Sequence, residues 1–327
     1  MIETLIALVA VVGVVGAIVV AVVVFRDDTV PAPIATPTTP PPTTTPTTTT
    51  TKPPKPKDPR FPAALVVKID SVSESRPHTG LYRANAIFVE PVEGGYSRML
   101  AMYWGKRPSA IGPVRSARET DIELLAQFKK PVLSFSGAAS QLKGALKKSS
   151  IVLASPDQTS GAYYRNQSRP SPHNMFVNPA KLPSTKRVAS PLPTGAAPEG
   201  GKSTKSRRVS YQAATYDFTW SKKHDRWLVS QNGSPLTTTE KGRMLAGTVV
   251  VQRVRIVKGL GISDFAGSPS PVARTVGKGR VTVLRDGKAY QGKWSRSKAK
   301  RPTTYETTKG KPLRFAKGKV WVLLVPE

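Results

Sequence analysis

Between Thr29 and Asp58, 22 of 30 residues are threonine or proline, and no apolar residue recurs there at a helix or strand period. Proline fixes φ and withholds a backbone donor, and a stretch this polar has nothing to bury, so the segment stays extended and joins no core. Every fold open to the chain must therefore be built on one side of it or the other. Polyproline-like at 3.1 Å per residue, it reaches up to about 90 Å. That reach suits a spacer through a cell wall, with a flexible cytoplasmic tether as the alternative. Thr/Pro segments exposed outside cells are also frequent sites of glycan attachment.

Upstream, Leu5 and Phe25 bound an uncharged run of 21 residues. As a helix it spans about 31 Å, the thickness of a hydrocarbon core, and it reads as a transmembrane helix. A cleaved signal peptide is the competitor. Glu3 stands where such a peptide carries Lys or Arg, and no small-x-small site follows, so the uncleaved anchor is favoured. Gly13 and Gly16 are three apart, which is not a GxxxG dimerisation pair. Arg26 is followed at once by Asp27 and Asp28, so the positive-inside rule is nearly silent, and the spacer decides for an extracytoplasmic domain.

Downstream the pattern becomes that of a folded α+β protein. Residues 64–69 and 131–136 read as strands, and residues 86–92 with 96–104 as a hairpin closed at Gly94 and Gly95. Helices are expected from Ala117 and over residues 140–148, giving a mixed α/β first half. Residues 183–208, rich in Pro, Gly, Ser and Lys, read as an exposed connection. Strands follow at 213–220, 247–257, 280–284, 290–294 and 320–325, with Asp286 and Gly287 as a hairpin turn. The expected organisation is an anchor (1–28), a spacer (29–60), an α/β domain (61–182), the connection (183–208) and a β-rich domain (209–327).

Residues 61–327 carry 45 Lys and Arg against 16 Asp and Glu, a net charge of +29. Such a surface favours polyanions: nucleic acid, anionic lipid head groups or phosphate-bearing envelope polymers. No nucleic-acid motif accompanies the charge, so nucleic acid ranks last. The chain has no cysteine, which excludes thiol catalysis, disulfides, cysteine-ligated metal and a lipidated amino-terminal cysteine.

The stretch Gly112, Pro113, Val114, Arg115, Ser116, Ala117, Arg118, Glu119 concentrates the chemistry. Ser116 and Glu119 have capping-box spacing ahead of an apolar face of Ile122, Leu124, Leu125 and Phe128. Arg115 and Arg118 would then oppose the positive end of the helix, which calls for a negative partner, either a ligand or a carboxylate of the chain itself. In a two-residue hairpin Glu93 faces Tyr96, diagonal to Arg98, and Glu90 points to the other side; Glu93 and Arg98 pair, or Glu93 is a catalytic carboxylate. His173 lies between Pro172 and Asn174, after Tyr163, Tyr164, Arg165 and Arg169, a group suited to an anionic or sugar-like ligand. The candidate ligand-binding set is therefore Arg98, Arg115, Arg118, Arg165, Arg169, His173 and Asn174. His173, Ser116, Glu90 and Glu93 are the catalytic candidates, with Ser116 explained as well by capping. His78, His173 and His224 fall at no metal-ligand spacing, so neither metal nor cofactor is expected. Two basic patches complete the inventory: Lys202, Lys205, Arg207, Arg208, and Lys293, Trp294, Arg296, Lys298, Lys300, Arg301, whose tryptophan is placed to stack on a sugar or base.

Residues 90–98, 111–118, Arg169 with Pro172, His173 and Asn174, then 249–252, 279–294 and 318–326 resemble the YerB family of bacterial envelope proteins. That family has two adjoining domains of unknown function. The resemblance implies an extracytoplasmic location and carries no reaction with it. Members often begin with a lipobox, which is absent here. The expectation is a membrane-anchored envelope protein that binds an anionic wall polymer, glycan phosphate or lipid head group, with an envelope hydrolase or transferase as the alternative.

Overall fold

The computed structural model describes residues 64–185 and 192–327, so the expected anchor and spacer lie outside it. Among the described residues no helix is long and apolar enough to cross a membrane. These residues belong to one compact unit spanning Lys57–Glu327. Among the described residues the architecture is mostly β, with two short α-helices.

The strands that build it are β1 (Leu65–Ile69), β2 (Ala86–Pro91), β3 (Ser97–Tyr103), β4 (Val132–Ser134), β5 (Val152–Ala154), β6 (Ser206–Ser210), β7 (Thr215–Ser221), β8 (Arg226–Gln231), β9 (Thr248–Val254), β10 (Gly277–Arg285), β11 (Lys288–Arg296), β12 (Thr304–Thr307) and β13 (Val320–Pro326). One mixed sheet runs in the order β12-β11-β10-β9-β13-β2-β3-β1-β4-β5, with Lys202–Ser203 pairing β11 at the side. β13 is apolar from Val320 to Val325 and runs parallel to β9 on one side and β2 on the other. An unalternating apolar strand is what a position buried on both faces requires. The two sequence regions thus meet within a single sheet.

Alternation assigns the two faces. Leu65, Val67, Ile87, Val89, Val249, Val251 and Trp321 face a second sheet containing β6, β7 and β8, whose Tyr216, Phe218, Trp227 and Val229 complete that core. Trp321 sits 6.1 Å from Tyr216 and 5.9 Å from Phe218, ring centre to ring centre. Val66, Phe88, Leu100, Val250 and Val322 face the opposite way, against α1 (Glu119–Leu125) and α2 (Ser140–Lys148). Each such side chain contributes roughly 1.5–3 kcal/mol by burial. α2 links the parallel strands β4 and β5, burying Leu142 and Leu146 at i, i+4 spacing and ending on Lys147 and Lys148, which suit its negative end.

Three expectations are corrected. α1 starts at Glu119, with Arg118 rather than Ser116 at the cap: the Arg118 N–H donates to Asp121 Oδ2 at 2.7 Å. Glu119 and Asp121 already offset the positive end of this two-turn helix, so no anion is called for there. The β2–β3 turn holds three residues, Glu93–Gly95, so Glu90 lies opposite Arg98 and Val89 opposite Met99. Gly94 and Gly95, at φ 63° and 72°, supply the left-handed turn that this length needs. Finally, part of the 183–208 connection is structured, since Lys202–Ser203 and Ser206–Ser210 are strands.

Candidate functional site

The Gly112–Arg118 stretch is an extended strap threaded between β1 and the short strand Met175–Val177. The N–H of Asp70 donates to Pro113 O at 3.0 Å, that of Arg115 to Lys68 O at 2.9 Å, and that of Val114 to Met175 O at 2.7 Å. Glycine is required at position 112, where an added Cβ would lie 2.5 Å from Phe176 Cδ1 and 3.0 Å from Met175 O. The strap thereby delivers Arg115 and Arg118 to the end of β1, on the helix-bearing face.

There Asp70, which sequence reasoning missed, is the hub. Its Oδ2 lies 2.7 Å from His173 Nδ1 and 3.3 Å from Arg115 Nε, and its Oδ1 accepts from Ser71 N at 2.9 Å with Arg98 Nη1 at 3.5 Å. Burial would raise its pKa, but Arg98, Arg115 and the His173 hydrogen bond outweigh burial and hold the carboxyl below its ordinary value. Deeper on the same face, Lys68 donates to both Glu90 and Asp121, and all three side chains are fully buried. Burial and the neighbouring Asp121 push Glu90 above the usual carboxylate range, against the pull of Lys68. At the outer end Arg118 Nε sits 2.7 Å from Glu93, whose pKa is lowered because the hydrogen bond and charge of Arg118 overcome the opposing burial. Lys68, Arg98, Arg115 and Arg118 thus face Asp70, Glu90, Glu93 and Asp121 in one internally compensated network. The carboxylate alternative raised for Arg115 and Arg118 is therefore realised, by Asp70 and Glu93 respectively.

The Pro-His-Asn turn closes over this network. Arg115 Nη1 donates to Pro172 O at 3.3 Å, tying turn to strap. Arg165 donates to Asn174 Oδ1 at 2.7 Å, fixing the short hairpin of Tyr163–Arg165 with Met175–Val177. Arg169 donates to Ser75 O and Pro77 O and lies over the Phe176 ring. Arg165, Arg169 and Asn174 therefore hold the turn in place.

Beside the hub is a cleft of about 340 Å³, lined by Ser71, Val72, Ser73, Glu74, Tyr96, Arg98, His173, Ala213, Ala214 and Asn232. Of the candidate set only Arg98 and His173 line it. Arg98 is 7% exposed, and its Nε is buried with no hydrogen-bond partner among the described residues. His173 has its Nδ1 fixed by Asp70, which leaves Nε2 as the ring atom available to a ligand. Its hydrogen-bond partner is Asp70; the structure gives it no bond to Ser116, Glu90 or Glu93. Trp294 is 2% exposed, with its Nε1 donating to Arg253 O at 2.7 Å, so the expected stacking role in the second basic patch is corrected to a core position. Among the described residues no group of three His, Asp or Glu is placed to hold a metal ion.

Residues 49–190 match the description "Protein of unknown function (DUF3048) N-terminal domain", and residues 207–322 the corresponding C-terminal domain. The Bacillus subtilis (strain 168) protein named "Putative lipoprotein YerB" is 25% identical over 283 residues, covering 82% of each chain. The crystal structure of YerB protein from Bacillus subtilis has the same fold, with a TM-score of 0.70 at 20% identity, covering 82% of this chain and 92% of that one. With both domain descriptions matched in order and YerB as a relative over 82% of each chain, this chain belongs to the YerB-like DUF3048 family.

Proposed function

We propose that the chain is a membrane-tethered, extracytoplasmic envelope protein that binds an anionic envelope component in the Arg98–His173 cleft. The observation that carries this reading is the Arg98 guanidinium, nine-tenths buried at the cleft wall with Nε left without a partner. A buried donor with no acceptor costs free energy that an anionic oxygen from a ligand recovers. The net charge of +29 draws polyanions to the surface, and the relative YerB carries "lipoprotein" in its name. Having no cysteine, this chain would attach through residues 5–25 instead. Retention of the full chain on purified wall polymer, at a salt concentration that screens the general surface charge, is expected to fall about tenfold in Arg98→Ala and in His173→Ala. Equal retention of both variants and the parent would contradict the reading.

The 2.7 Å bond between Asp70 and His173 favours a second reading. A carboxylate that fixes one imidazole nitrogen leaves the other as acid or base, and Ser73 stands in the same cleft. On that reading the chain cleaves or transfers a phosphodiester or glycan bond. Incubation with defined wall fragments would then release product in a His173-dependent way, and intact fragments after prolonged incubation would dismiss it.

A further inference from the structure

Outside the cleft, the strands Ile256–Val257 and Val272–Ala273 are joined by a projecting hairpin. At its tip Phe265 is fully exposed (114%), and Leu260 is 50% exposed. The tip is ordered by its own backbone. Asp264 Oδ1 accepts from Ala266 N at 3.0 Å and Ser268 N at 2.8 Å, Asp264 N donates to Ser268 O, and Gly267 N to Asp264 O. These bonds engage Oδ1 of Asp264 and hold Phe265 outward before any partner arrives. At the hairpin base the Arg274 N–H donates to Arg255 O at 2.9 Å, and the Arg274 guanidinium is turned to Glu123, 3.4 Å away, which leaves Arg255 and Lys258 as the exposed cations there. Glu119 approaches the hairpin, and its Oε2 is engaged by the Leu260 N–H.

We propose that this hairpin docks on an anionic lipid bilayer, Phe265 and Leu260 entering the interface while Arg255 and Lys258 meet the head groups. An aromatic tip above a basic collar matches the two layers of a membrane surface. A second copy of the chain is disfavoured as occupant, because two bodies of +29 repel. The tether supplied by residues 5–25 and the spacer, on which this inference rests in common with the proposed function, keeps the hairpin at high effective concentration near lipid.

The chain has no cysteine, so Ala266→Cys accepts a single environment-sensitive fluorophore. Full chain so labelled is placed in phosphatidylcholine vesicles with or without phosphatidylglycerol, and flotation first establishes the tether in both. With phosphatidylglycerol the emission is expected to shift blue and to be quenched at least threefold by acyl-chain nitroxides. Added Phe265→Ala, or high salt, should abolish both effects without lowering the melting temperature. The same emission in both vesicle types while the protein floats would overturn the docking and leave the tether intact. A blue shift that follows protein concentration in phosphatidylcholine alone would assign the tip to a second copy and equally overturn it.

Discussion

Lys68 interrupts an otherwise apolar strand, and its ammonium is the only cation bonded to both Glu90 and Asp121 among the described residues. Lys68→Met leaves two buried carboxylates side by side and should destabilise the protein by about 4 kcal/mol in chemical denaturation. Adding Glu90→Gln and Asp121→Asn should recover most of that loss; if the triple variant is no better than the single one, the triad is not the cause. His78 gives a separate, pH-dependent signature. It is fully buried, Nε2 lies 2.7 Å from Asp70 O, and burial lowers its pKa to about 4. A folded pKa below the unfolded value means that the unfolded chain takes up the proton first, so stability present at neutral pH is lost as pH falls from about 6.5 towards 4. Between pH 7 and pH 5 the stability gap between the parent and His78→Gln should narrow by about 2 kcal/mol in the variant's favour. A gap that does not change with pH would remove His78 from the acid limb.

The strap and the β2–β3 hairpin show which elements the residues announce and which they conceal. Strand apolarity and the Asp286-Gly287 turn were legible, the latter joining Arg285 to Lys288 directly. The helix at Ser140–Lys148 was legible because its i, i+4 leucines and basic last turn agree. The α1 start was not, because Ser116 and Glu119 mimic a capping box while the strap's backbone bonds to β1 and Gly137 keep residues 115–117 extended. Nor was the register of Glu90 with Arg98, since two glycines fit a two- or a three-residue turn equally well. Asp70 was hidden because a carboxylate just after a strand reads as solvated; the available signal was Lys68, a charge inside a buried strand, which implies acids nearby. At this scale Gly112→Ala should cost about 2 kcal/mol, since its Cβ has no room beside Phe176 and Met175 O. Thermal melting reads this directly, and a variant as stable as the parent would show that the strap is not clamped there.

At the scale of the whole molecule, the carboxyl-terminal strand β13 lies between β9 and β2, so the matched N-terminal and C-terminal regions complete one another's sheet. A chain ending at Lys319 exposes both edges and loses Trp321 from the core, and it should show no cooperative unfolding transition by circular dichroism. A sharp two-state melt from that truncation would mean that the halves fold separately. The net charge also acts at this scale: a body of +29 retains any polyanion at low salt, so adhesion alone does not identify a site. What separates the cleft from the general surface is a histidine whose Nδ1 is already held, in a chain with only three histidines. The most direct measurement is therefore nitrogen-15 magnetic resonance of the full chain, labelled at His78, His173 and His224, during titration with a phosphate-bearing wall fragment. A saturable shift is expected at His173 Nε2, with His78 and His224 unmoved and the shift lost in Arg98→Ala. Binding of the fragment with the His173 resonances unchanged would contradict it.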